Sequence, residues 1–164
     1  AARLFLAPLA LLNAGFSRLL TPRWAYMAHE KKHQKLDLMA RKVKWLLIGM
    51  VIMYVACLLL LKDRLVPLLL TGEYTQTSTL ILMWGAIFAF QVVRGNYSSL
   101  LQVFKKFRDI TLANTATALV VVAMGAALIP AYGAKGSMVT LMLGEAGLVA
   151  LLIHGYRNAR KNID

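Results

Sequence analysis

Residues 77–109 read TSTLILMWGAIFAFQVVRGNYSSLLQVFKKFRD, and this stretch decides the fold. It opens on small hydroxyl residues, runs through a nearly unbroken apolar series to Phe90, admits Gln91 and Arg94 one helical turn apart, and closes on Lys105, Lys106 and Arg108. A helix from Thr77 to Arg94 covers roughly 26 Å at the usual rise, close to the hydrocarbon thickness of a bilayer. A water-soluble fold has no need of that order. The stretch reads as a transmembrane helix, spanning residues 77–98, whose inner end is marked by charge.

The rest of the chain has the same character. Of its 164 residues 59% are hydrophobic, mean hydropathy is +0.62, and the charges are bunched instead of spread over helical faces. That is a membrane composition. A formal net charge of +12 would suggest nucleic acid in a soluble protein. Here the basic residues fall between apolar runs, where the positive-inside bias accounts for them, and no nucleic-acid partner is expected. Cys57 is the sole cysteine, so no internal disulfide can form. The pattern of a cleavable signal peptide is lacking, since only Arg3 precedes the first apolar run. The chain starts in mid-pattern, with its first methionine at Met27, which suggests a fragment lacking its N-terminal part.

Working outward, a first span is expected over residues 4–20, kinked by Pro8 and ended by Thr21 and Pro22. Asn13 and Ser17, four apart, share one face. Residues 23–44 carry seven Lys and Arg against Glu30 and Asp37 and read as a cytoplasmic loop. A second span covers residues 45–61, and the charge-balanced exit 62–76, with Pro67 and Gly72, reads as an interfacial turn. A fourth span covers residues 110–129, with Thr111, Asn114 and Thr115 grouped on one face and Pro130 ending it. The last covers residues 137–155, with Ser137, Thr140, Gly144 and Gly147 as a small-residue packing face, before the basic tail Arg157, Arg160 and Lys161. Loop charge alternates between basic and neutral. The expectation is an all-α integral membrane protein, a bundle of about five transmembrane helices, with its C-terminus in the cytoplasm.

Several polar residues fall inside these spans. Glu145 stands near the expected midplane, where an ionised carboxylate costs on the order of 3 kcal/mol on insertion scales. It is either a cavity-lining proton or cation site or a neutral, hydrogen-bonded group holding helices together. Arg94 is either a ligand for phosphate, with Gln91 one turn deeper, or a side chain snorkelling to the headgroups. A direct Arg94–Glu145 pair is not expected, because their estimated depths differ by roughly 11–13 Å. Asn13, Ser17, Asn114 and Thr115 either line a substrate path or hydrogen-bond between helices. His29-Glu30-Lys31-Lys32-His33 matches the H-E-x-x-H zinc motif. Two lysines between the histidines oppose a dication, so a solvated charge run is the preferred reading, with no metal and no cofactor.

Taken together, the helix ending in Thr21-Pro22, the basic amphipathic segment, the exit VPLLLTGEY, the long helix continuing as RGNYSSLLQVFKKFRDIT and the Tyr132-Gly133 link resemble the C-terminal part of Wzx-type polysaccharide flippases. These belong to the multidrug/oligosaccharidyl-lipid/polysaccharide exporter (MOP) superfamily. The resemblance covers the whole chain but rests on a distributed pattern and no signature loop. It implies one lobe of a larger two-lobed transporter, with the N-terminal lobe of the same polypeptide as its partner. It further implies a multi-pass protein of the bacterial inner membrane, in contact with membrane lipids, that moves an undecaprenyl-diphosphate-linked oligosaccharide for O-antigen, capsule or exopolysaccharide synthesis. Transport is expected to be ion-coupled alternating access about a central cavity, and not an enzymatic reaction. A small-molecule antiporter of the same superfamily, and more remotely a membrane zinc protease using the HEKKH segment, are the alternatives.

Overall fold

Leu36, Ala40, Leu47, Val51 and Leu58 recur at helical spacing and are all buried, so one apolar stripe runs without a break from the basic segment into the second apolar run. A single helix follows from it. The structure, a computed structural model, describes residues 7–30, 33–69 and 77–161. They form α1 (Ala7–His29), α2 (His33–Leu69), α3 (Thr77–Val103) and α4 (Phe107–Lys161), and no strand occurs among the described residues.

Several expected boundaries move. Pro8 is the second described residue of α1, and residues 4–6 of the expected first span lie outside the described residues. Thr21 and Pro22 do not end that helix. It runs on to His29, because Trp24, 2% exposed, packs into a core with Leu36, Leu100 and Leu152. The supposed loop 23–44 is therefore mostly helix, broken near Glu30. Helix α2 likewise runs beyond residue 61 to Leu69 through the expected turn, whose remainder, residues 70–76, lies outside the described residues.

Helix α3 ends in a six-residue reversal. Lys106 N–H donates to the Leu101 carbonyl at 3.0 Å and Lys105 N–H to that of Gln102 at 2.9 Å, with Lys105 in the left-handed region at φ 57°. This Schellman arrangement satisfies carbonyls that the helix end leaves open. Lysine in place of glycine there costs about 1 kcal/mol in backbone sterics, and its charge at a helix C-terminus offsets part of that.

Helix α4 is a hairpin in one element. Pro130 does not end it, and the reversal falls at Gly133, with φ 58° and ψ −134°. A Cβ on Gly136 would stand 2.3 Å from the Leu128 carbonyl oxygen, and one on Gly144 would stand 2.3 Å from a Val121 methyl. Close approach of limbs 107–132 and 134–161 therefore requires glycine at both positions. The small-residue face expected on the last span is real at Thr140 and Gly144. Gly147 does not belong to it, being exposed with nothing beside it.

Helix α3 touches all three other helices, whereas α2 and α4 have no close backbone approach. Along α3 lie two apolar cores. One, with Leu9, Leu47, Val51, Leu58, Ile81, Phe88 and Val92, surrounds its first half. The other, with Trp24, Leu36, Leu100, Leu101, Leu148 and Leu152, surrounds its basic end. The layer between them carries Gln91, Arg94 and Asn96.

Two helices are long and apolar enough to cross a bilayer: Gln34–Leu61, with mean hydropathy 2.3, and Phe107–Arg160, with 2.0. Only 17% and 11% of their apolar windows are buried, where the core helix of a soluble protein would be mostly covered. Trp45, Ile52, Met53, Leu60, Leu119 and Val122 all point outward. Length, composition and exposure agree on association with a membrane.

Candidate functional site

Gln91 and Arg94 are three residues apart on α3, so they project from one face. That face meets the second limb of α4 at Glu145. Arg94 Nη1 donates to Glu145 Oε1 at 2.9 Å, and Gln91 Nε2 donates to the same oxygen at 3.2 Å. The other oxygen, Oε2, is buried with no hydrogen-bond partner among the described residues. Glu145 is 12% exposed and Arg94 40%. A guanidinium carries five N–H donors, and Arg94 forms only the bond to Glu145 among the described residues.

The pairing overturns the expectation that the two residues stand at different depths. That estimate placed Arg94 close to the inner boundary, assuming a span ending near residue 98. Helix α3 continues to Val103 and its basic cap begins only at Lys105. Counted back from the basic ends, Arg94 precedes Lys105 by eleven residues and Glu145 precedes Arg157 by twelve. Since α3 and the second limb of α4 run in parallel, as Leu101 beside Gly155 also shows, the two charges fall level. The same extension shows that Arg94 lies a full three turns short of its charged cap.

Asn13 of α1 lies beside Gly95, with its amide nitrogen 3.7 Å from where a Cβ there would be, and so borders the Arg94 layer. The side chain of Ser17 lies outside the described residues. Asn114 and Thr115 are exposed on the first limb of α4, and Asn114 Nδ2 donates to the Ile110 carbonyl of its own helix at 2.8 Å. Structure thus brings Gln91, Arg94 and Glu145 together, sets Asn13 nearby, and leaves Asn114 and Thr115 apart. The HEKKH segment is divided. His29 closes α1 and His33 opens α2, while Lys31 and Lys32 between them lie outside the described residues. Among the described residues no group of three or more His, Cys, Asp or Glu converges.

A second polar cluster, unanticipated from sequence, sits at the basic end. Asp37 of α2 accepts from the Tyr156 hydroxyl through Oδ1 and pairs with Arg160 through Oδ2, both on α4. Nearby, Asn96 Nδ2 donates to the Ala40 carbonyl at 3.2 Å. The available signal was Asp37 itself, one of seven acidic residues in the chain, set in its most basic segment.

No protein-family model matches the chain, and neither a curated protein nor a solved structure is significantly similar to it.

Proposed function

We propose that this protein is a multi-pass transporter of the bacterial inner membrane, its C-terminus cytoplasmic, that carries an undecaprenyl-diphosphate-linked oligosaccharide across the bilayer by ion-coupled alternating access. The five apolar segments, two of them the limbs of α4, act as one lobe, and the N-terminal lobe expected from the resemblance to Wzx-type flippases supplies the other wall of the cavity. The observation that carries this reading is the Gln91–Arg94–Glu145 group. It sets a fixed cation with unused donors beside a carboxylate with an unused oxygen, between two apolar cores.

Each half of the group has a task. Guanidinium donors in a planar fork suit the oxygens of a diphosphate, and Arg94 can bind one while retaining Glu145. The lone buried oxygen Oε2 is the position at which a proton or cation can enter and leave, while Oε1 stays anchored by Arg94 and Gln91. Binding there changes the charge felt by Arg94, which links ion occupancy to cargo affinity. Among MOP-type cargoes the spare donors of Arg94 favour a phosphate-bearing one over a small organic cation.

In the native membrane, Glu145→Gln should lower gradient-driven transport by roughly tenfold or more, the scale of ordinary coupling free energies, while insertion and amount of protein stay unchanged. Appearance of lipid-linked oligosaccharide on the outer face is the readout. Undiminished transport in that variant removes Glu145 from the mechanism, and undiminished transport in Arg94→Gln removes the diphosphate assignment.

A further inference from the structure

At the basic end, α2, α3 and the second limb of α4 enclose a cavity of about 100 Å³, with Arg41, Lys44, Asn96, Tyr97, Tyr156 and Arg160 in its wall. It is separate from the Arg94 group, because none of Gln91, Arg94 and Glu145 lines it and its α3 residues, Asn96, Tyr97 and Leu100, lie nearer the basic end. Pockets for drug-sized ligands start at about 300 Å³, so this one accepts a small group and not a sugar chain.

Its charge is unbalanced. Asp37, the one acid in the wall, is already engaged by Arg160 and the Tyr156 hydroxyl. Arg41 and Lys44 have no carboxylate partner among the described residues. The Lys44 ammonium is instead held over aromatic faces, 5.6 Å from the Trp45 ring centre and 5.7 Å from that of Tyr97, which fixes its position at the cavity. Two cations without a carboxylate partner thus line a polar hollow, at the end of the bundle where Lys105 and Lys106 follow α3 and Arg157 stands in the last turns of α4.

We propose that this cavity is a binding site for a phosphate group, held by Arg41 and Lys44 with Asp37, Tyr156 and Arg160 as its fixed floor. A phosphomonoester carries about −1.5 to −2 charge near neutral pH, which matches the two cations that lack a carboxylate partner. Basic pockets between membrane helices take up lipid headgroups by this chemistry. The source is either an anionic lipid headgroup or a free phosphate compound. The site does not depend on the transport reading.

The test uses the full chain in phosphatidylcholine nanodiscs, titrated with short-chain phosphatidic acid, with inorganic phosphate, and with short-chain phosphatidylcholine as control. Isothermal titration calorimetry reports binding, a readout that does not pass through Lys44. Saturable binding of phosphatidic acid is expected, weakened at least tenfold by Arg41→Gln with Lys44→Gln and less than twofold by Lys105→Gln with Lys106→Gln. Displacement by inorganic phosphate at similar concentration identifies a free phosphate compound as the source. Failure to displace identifies the lipid, whose acyl chains then contribute. Equal loss in the two double variants, or no saturation with either phosphate probe, overturns the proposal in favour of diffuse attraction. A variant-free check stands beside these: phosphatidic acid should raise the melting temperature of the unaltered protein, and sodium chloride at equal ionic strength should not. No rise with phosphatidic acid or inorganic phosphate again counts against the site.

Discussion

Glu145 and Asp37 are each largely buried beside an arginine, with 12% and 15% of their side chains exposed, yet their oxygens are used differently. Both oxygens of Asp37 are taken, one by Tyr156 and one by Arg160. Glu145 directs two donors to one oxygen and leaves the other with none. A buried, unsatisfied acceptor costs about 1–3 kcal/mol, and folding alone does not require that cost at Glu145. The contrast separates a carboxylate whose two oxygens both join helices from one of similar burial that keeps an oxygen without a partner among the described residues.

The comparison breaks most readily at the joint. Asp37→Ala removes the side-chain bridge between α2 and α4 and strands the Tyr156 hydroxyl, and a loss of about 3 kcal/mol is expected, reduced from the value for fully buried pairs because Arg160 is nearly half exposed. Glu145→Gln should cost under about 1 kcal/mol, since its amide oxygen still accepts from Arg94 and Gln91. Reversible denaturant unfolding in detergent micelles compares the two, and equal losses would erase the distinction. Next in size is Gly144→Val, which forces a side chain into Val121 and pushes apart the limbs that aim Glu145. About 2 kcal/mol is expected from overpacking, with transport reduced as well.

A smaller effect is expected at Tyr156. Tyr156→Phe removes one of the two bonds that Asp37 accepts and should cost about 1 kcal/mol. An unchanged unfolding midpoint would show that Asp37 and Tyr156 are not joined. Smallest is Gln91→Leu, expected to cost about 0.5–1 kcal/mol, because Arg94 still holds the shared oxygen. A loss as large as that of Asp37→Ala would make the Glu145 group a joint too.

Apolar run length and charge clustering made the membrane-type helices legible from sequence, but not where they end. Residues 33–44 are charged, yet Leu36 and Ala40 continue the stripe of Leu47 and Val51, and burial of that stripe overrides the charge. Thr21-Pro22 looked like a terminator because local propensity was weighed without Trp24, whose burial holds the helix on course. Residue types at the site were visible, and Gln91, Arg94 and Glu145 were each singled out. Their meeting was not, because it depends on the length of α3 and on the parallel register of two helices 51 residues apart in the chain. The Asp37 joint, linking residues 119 and more apart, left no local trace beyond one acid among bases.

The most direct test of whether the Arg94–Glu145 pair drives transport is to exchange its charges, measuring stability and gradient-driven export for Arg94→Glu, for Glu145→Arg and for both together. The combination should regain the folding stability that each single change loses, since the ion pair re-forms, while export stays absent because cation and carboxylate have traded helices. Export restored along with stability would show that the pair serves only to join α3 to α4.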